Sequence, residues 1–524
     1  MRRRQFLRRA GVAAFAAGAA RLERALAATA ALEDLTLAEV AAGCATGRLS
    51  CRDLTERYLA RIEALDRQGP SLRAVIETNP RALEVAAGLD QERVRSGPRG
   101  PLHGVPLLIK DPVETADRLM TTAGSLALEG WYAPEDAPLV ARLRAAGAVI
   151  LGKSNLSEWA NFRSSRSSSG WSGRGGQTRN PYALDRSPSG SSSGSAVAVA
   201  AGLCAGAVGT ETDGSIISPA SVNGVVGLKP TLGLVSRTGI VPISHLQDTA
   251  GPIARTVEDA ALLLTVMAAP DARDPASAAA SAHHGTDYRR FLDPDGLSGA
   301  RIGIARRFYA DNAPLERFLD DSVALLARAG VVLFDPAELP AQPGDAETEA
   351  LLYEFKADLN AYLGRLPAAL PVHSLAELIR FNEQHAREEL AQFDQELLRR
   401  AEAKGSLEEK AYRDARGQAL AAARADGIDA LLRSQRLDAI VSLSSGPAWL
   451  IDPVNGDADT GSCTTPAAVA GYPHVTVPAG LYRGLPIGLS FFGAPFSEPL
   501  LIRLASAFEH LAAARRPPRF LPRV

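Results

Sequence analysis

The stretch that decides the fold runs from Arg186 to Pro230: RSPSGSSSGSAVAVAAGLCAGAVGTETDGSIISPASVNGVVGLKP. By composition alone, the Ser/Gly tract at its start reads as a flexible linker. It runs directly into AVAVAAG (196–202), however, which has the character of a buried helix or strand. A Ser/Gly loop entering an apolar element instead presents hydroxyls and backbone N–H groups at a fixed place. A second such loop, Gly209 to Ser215, follows another run of small apolar residues. Two hydroxyl-bearing loops that bracket one buried element suit acyl transfer. One would supply the nucleophile and N–H donors, the other a relay hydroxyl. Serine is a weak nucleophile at its ordinary pKa and needs a base. No histidine among His245, His373, His385, His474 and His510 sits in a setting that singles it out. The best candidate base is Lys110, which closes the apolar run VPLLIK (105–110) and precedes Asp111-Pro112.

Working outward, apolar runs alternate with helical patterns. Strand candidates are Val105–Lys110, Ala148–Leu151, Arg301–Ala305, Val331–Phe334, Ala439–Leu443 and His474–Val477. Thr36-x-x-Glu39 and Ser50-x-x-Asp53 read as capping boxes that open helices. In the second helix Leu54, Tyr58, Ile62 and Leu65 form a core-facing stripe. A segment Arg142–Ala146 is expected as helix, stopped at Gly147. This alternation predicts an α/β layered fold. From about 340 to 435 it gives way to long Ala/Leu/Glu/Arg helices, a helical insertion that would either roof a cleft or form a peripheral bundle.

Composition narrows the function classes. In 524 residues, 46% hydrophobic and 22% charged is the mix of a globular chain. A net charge of −2 offers no basic footprint for nucleic acid or an anionic membrane. Cys44, Cys51, Cys204 and Cys463 are too few for a disulfide framework, although Cys44 and Cys51 are near enough in sequence to pair. The start, MRRRQFLRRAGVAAFAAGAA, joins an arginine cluster to a short apolar segment. That is the form of a secretory signal too short to span a bilayer. Arg3-Arg4-Gln5-Phe6-Leu7 resembles a twin-arginine motif, and Ala25–Ala27 and Ala28–Ala30 offer cleavage sites. Residues 1–30 are therefore expected to be an export signal. The mature protein would be periplasmic or secreted, with no stable membrane insertion after processing.

Two motif matches fail on context. Gly147–Ser154 (GAVILGKS) satisfies the Walker A pattern, but a helix precedes it and its middle is a β-forming run where a phosphate loop needs flexible backbone. Gly190–Gly194 fits G-x-S-x-G with Ser192 as nucleophile, yet loop chemistry precedes it where a nucleophile elbow needs a buried strand. A Ser-His-Asp esterase built on Ser192 therefore ranks below the lysine reading. No metal-ligand spacing appears.

From about residue 35 onward the chain resembles the amidase signature family. The resemblance rests on Lys110, Gly190–Ser195 and Gly209–Ile216. It also rests on LGKSNLSEW (151–159), GVVGLKPT (224–231), DTAGPIARTVEDAA (248–261) and VAGYPHVTVPAG (469–480). It implies a mixed central sheet flanked by helices, spanning 31–524 as one amidase domain. It also implies a Ser–Ser–Lys triad, with Ser215 as nucleophile, Ser191 as bridging serine after a cis peptide bond, and Lys110 as base. The backbone N–H groups of Thr212, Asp213, Gly214 and Ser215 would hold the oxyanion. No cofactor or metal is implied. The usual Asp and Gly of the signature are Glu211 and Asp213 here, and the Arg after Ser-Ile is Ile217. GTETDGSI, SGWSGRGGQTRNPY (169–182) and NGVVGLKPT look most like the peptide-amidase branch, whose substrates are C-terminally amidated peptides. Small aliphatic, aryl or cyclic amides are the alternative substrates. An amidotransferase A subunit serving a partner that acts on charged tRNA is the alternative class, and the export signal argues against it.

Overall fold

In a computed structural model the structure describes residues 35–309 and 312–524. The export signal expected over 1–30 lies outside them. The strands, in chain order, are β1 (Val75–Thr78), β2 (Pro106–Lys110), β3 (Val149–Ser154), β4 (Trp171–Ser172), β5 (Gly176–Gln177), β6 (Gly206–Glu211) and β7 (Val226–Lys229). They continue with β8 (Thr249–Ala254), β9 (Arg301–Ile304), β10 (Val332–Phe334), β11 (Ala439–Leu443), β12 (His474–Tyr482) and β13 (Leu485–Phe492). Eleven form one sheet in the order β1-β3-β2-β6-β8-β7-β12-β13-β11-β9-β10, and β4 and β5 make a small hairpin. The sheet is mixed. β3, β2 and β6 run parallel, the middle from β6 to β11 is antiparallel, and β11, β9 and β10 are parallel again. Helices cover it, and apolar side chains of both layers form one large core. The expected α/β fold with a mixed sheet is present.

All six strand candidates are strands. The second extends to Ser154, so the Walker-like Gly152-Lys153-Ser154 is sheet backbone. β1 pairs against it, with Thr78 opposite Gly152 and Glu77 opposite Lys153, and a Cβ on Gly152 would sit 2.2 Å from the Glu77 carbonyl, so the segment is no open phosphate loop. The first capping box is complete, with Thr36 and Glu39 each accepting the other's N–H. The second is only half made. Ser50 Oγ accepts from Asp53 N, while Asp90 on the neighbouring helix takes the N–H groups of Cys51 and Arg52. Cys44 and Cys51 are free thiols, buried side by side, and the hydrogen bond of Cys51 with Cys44 together with burial pushes the Cys51 thiol up.

The helices of 345–435 build a second core against loops of the sheet domain, through Leu352, Phe355, Leu363, Trp131, Trp159 and Ile243. Glu389 is the anchor. Its Oε1 accepts from Leu126 N (2.6 Å) and Ser125 Oγ (3.1 Å), and its Oε2 lies 3.6 Å from Arg163 Nη1. Arg163 also donates to Glu158 (2.6 Å) and stacks on Phe393. The C-terminal tail closes the other side. Phe520 N donates to Pro181 O and Leu184 N to Leu521 O, so 520–521 lie against 181–184.

Candidate active site

Three chain segments meet at one end of the parallel strands. β2 and β6 are neighbours in register, Ile109 opposite Val208, which brings Lys110 beside Thr210. Between them in sequence, the Ser/Gly tract resolves into a loop and the buried helix Ser193–Ala200. Its serines stitch this helix to the strands. Ser192 Oγ donates to Thr210 O (3.0 Å) and accepts from Thr210 N (3.2 Å), Ser195 Oγ donates to Val208 O (3.0 Å), and the Ser154 hydroxyl is 2.7 Å from that of Ser195. The Gly190–Ser191 peptide is cis. A side chain at 190 would meet Ser157 Oγ at 2.1 Å and displace the hydroxyl that accepts from Gly170 N.

Lys110 is fully buried. Its Nζ donates to Ser191 Oγ (2.8 Å), Thr210 Oγ1 (2.8 Å) and Thr210 O (3.2 Å). Burial disfavours the ammonium and pushes its pKa down to about 7, opposed by the more distant charges of Glu211 and Asp248. An amine half neutral near pH 7 can take a proton from a hydroxyl.

Beyond β6 the chain turns through Thr212–Ser215. Gly214 adopts φ +74°, and a Cβ there would come within 2.9 Å of Thr464 Oγ1. Ser215 is 7% exposed and so reachable, whereas Ser191 is fully buried. Among the described residues, no acceptor in the chain takes the backbone N–H of Asp213, Gly214 or Ser215. Those donors are therefore available to an oxyanion. Glu211 fixes the loop from behind, its Oε2 accepting from Ile216 N (2.6 Å) and Ile217 N (3.0 Å). Burial raises the Glu211 carboxyl, and the charge of Lys229 on β7 opposes that rise. Lys229 thus supplies the local cation that Ile217 does not, its own pKa pushed down by burial to about 8. Thr212 Oγ1 donates to Asp248 (2.5 Å), and Thr465 Oγ1 to Asp213 Oδ2 (2.6 Å). Burial raises both aspartates, Asp248 to about 6.

Gly190, Asp213 and Gly214 border a cleft of about 200 Å³ whose walls also include Ser445, Trp449 and Thr464, while Lys110, Ser191 and Ser215 are their chain neighbours or lie behind and are not wall residues themselves. A larger hollow of about 620 Å³ beside Arg73 and Arg179 contains none of the expected catalytic residues. None of the cleft's wall residues belongs to the helical insertion. The insertion touches the site from behind, where Gln247 Nε2 donates to Glu347 Oε1 (2.9 Å) and Thr212 O (3.4 Å).

The structure joins Lys110 to Ser191 directly. It brings Ser215 alongside through the backbone, Ser192 N donating to Ser215 O at 3.1 Å. Among the described residues the Ser215 hydroxyl makes no hydrogen bond within the chain. Ser192 is fully buried and its hydroxyl is committed to Thr210, so it is no nucleophile. His474, the most deeply placed histidine of the sequence candidates, bonds Ser490, and burial pushes its pKa down to about 3. Sequence reasoning missed Thr210, Lys229, Gln247 and Thr465. The Ser/Thr-rich 460–465 segment and the buried-looking GLKP were the available signals.

Comparison with known proteins finds relatives along almost the whole chain. The sequence profile of the Amidase family matches residues 53–502. A "Probable amidase" of Arabidopsis thaliana is 43% identical over 506 residues, covering 95% of this chain and 93% of that protein. The A subunit of glutamyl-tRNA(Gln) amidotransferase from Halorhodospira halophila is 35% identical over 487 residues, covering 91% and 97%. Among solved structures, native peptide amidase from Stenotrophomonas maltophilia superposes with a TM-score of 0.89 at 53% identity, covering 93% of this chain and 99% of that one.

Proposed function

The chain belongs to the amidase signature family, a hydrolase of amide C–N bonds, and on that premise we propose that it removes the terminal amide from C-terminally amidated peptides through Ser215, Ser191 and Lys110. The observation that carries this reading is the buried Lys110 amine, held at 2.8 Å from Ser191 with its pKa lowered to about 7. Lys110 takes the Ser191 proton as Ser191 takes that of Ser215. Ser215 Oγ attacks the carboxamide carbon, and the N–H groups of Thr212, Asp213, Gly214 and Ser215 hold the oxyanion. The C–N bond breaks, the proton returns through Ser191 to the nitrogen, and ammonia leaves. Water, deprotonated by the same relay, then releases the acid. The peptide substrate is supported by the 53% identity to a peptide amidase. Export through the twin-arginine signal in residues 1–30 belongs to the same proposal.

The test is ammonia release from a C-terminally amidated tetrapeptide beside a small aryl amide, with wild type and Ser215→Ala. Release from the peptide amide by wild type alone is the expected result. Cleavage of the aryl amide only would overturn the peptide substrate, and activity surviving in Ser215→Ala would overturn the nucleophile. Ammonia from glutamine alone would favour the amidotransferase A-subunit reading, which the 35% identical relatives support.

A further inference from the structure

Three polar atoms buried without a hydrogen-bond partner belong to residues lining the same cleft: Asn161 Oδ1, Asp213 Oδ1 and Ser445 Oγ. Its other acidic residues are engaged. Asp457 accepts from Ser169 N–H, Ser169 Oγ and Trp449 Nε1, and Asp459 from Gly461 N. Buried polar atoms are nearly always paired, so a cluster of unpaired ones describes what the cleft lacks. Two of the three are carbonyl or carboxyl oxygens, which only accept, and the missing partner is therefore rich in N–H. No lysine or arginine lines the cleft among the described residues.

Asp213 is the best placed of the three. It precedes Ser215 by two residues and stands where the amidase signature ordinarily has glycine. Thr465 Oγ1 fixes Oδ2 at 2.6 Å and the Thr464 hydroxyl stands beside the same carboxyl, which leaves Oδ1 held in place, buried and without a hydrogen-bond partner of normal geometry. With the substrate carbonyl oxygen on the N–H groups of the same loop, the carboxamide nitrogen, bonded to the attacked carbon, is the N–H donor of the substrate held nearest to Asp213, ahead of any backbone N–H of a peptide. A primary amide carries two N–H groups, an N-methylamide one, and an ester none. We propose that Asp213 is a specificity-determining residue whose Oδ1 accepts an N–H of the substrate's terminal –NH2, selecting unsubstituted carboxamides over N-substituted amides and esters.

This inference rests on amide cleavage at Ser215 but not on the substrate being a peptide. The experiment measures kcat/KM for the amide, N-methylamide and methyl ester of one tetrapeptide and of benzoic acid, with wild type, Asp213→Gly and Asp213→Asn, all checked for matching thermal melts. The amide-to-ester ratio is expected to fall at least tenfold in Asp213→Gly and less in Asp213→Asn, which keeps an acceptor oxygen. An unchanged ratio, or equal losses on amide and ester, would overturn the assignment. If wild type cleaves benzamide but not the peptide amide, the peptide reading fails, and the benzoyl series still decides Asp213.

Discussion

Lys110 shows how burial fits an ordinary side chain for the role of base proposed for it. In water a lysine amine is almost fully protonated at pH 7. Enclosed by strand backbone, with a pKa brought to about 7, it is half neutral there. On the acid side of that value kcat/KM should fall about tenfold per pH unit, because protonated Lys110 cannot accept from Ser191. Above it the profile should level off. Lys110→Arg keeps the charge and cannot deprotonate, so it should lose roughly 10²–10⁴-fold activity and the acid limb with it. A pH–rate profile of both proteins checks this, and an acid limb that persists in the variant would assign it to Asp248, the neighbouring carboxyl raised to about 6. Lys110, Ser191 and Ser215 stood out as candidates in the sequence because each sits in a contiguous motif, and the structure brings them to one place. Thr210 and Lys229 were not, since their roles come from strand adjacency: Lys110 meets Thr210 only because β2 pairs with β6.

At the scale of elements, the legible strands were those rich in Val, Ile and Leu. The strands missed include β6, GAVGTE, and β8, TAGPIA, which are fully buried yet built of small residues with little β signature. The AVAVAAG run, open between helix and strand, is helical, entered through serines that bond the strands beside it. The insertion was visible as a change of pattern, but its attachment was not, because Glu389 contacts residues more than 200 positions away. Arg163, Glu158 and Glu389 are all fully buried. Glu389→Ala leaves the Arg163–Glu158 pair in place but strips the Leu126 N–H and the Ser125 hydroxyl of their acceptor, so it should cost about 2 kcal/mol. Denaturant unfolding should register that as a lower midpoint, with Glu389→Gln falling between the variant and wild type. Equal midpoints would mean that the insertion is held by its apolar contacts alone.

At the scale of the whole molecule, the fold and the proposed export are compatible. All four cysteines are buried free thiols, so the structure needs no oxidising compartment to form, and twin-arginine routes carry folded proteins. Expressed in a bacterial host with that route, the full chain should place its amidase activity in the periplasm or medium. The Arg3→Lys, Arg4→Lys double variant should hold it in the cytoplasm, and an identical distribution of the two would remove the export signal from the account. The tail described above bears on any such experiment. Residues 520–521 are strapped onto 181–184, and Ser187 just beyond is tied to Trp449 O at 2.7 Å on the chain's way to Ser191. An affinity handle fused at the C-terminus would sit beside the segment that leads to the proposed relay serine, so for this enzyme the choice of where to attach a tag bears on catalysis.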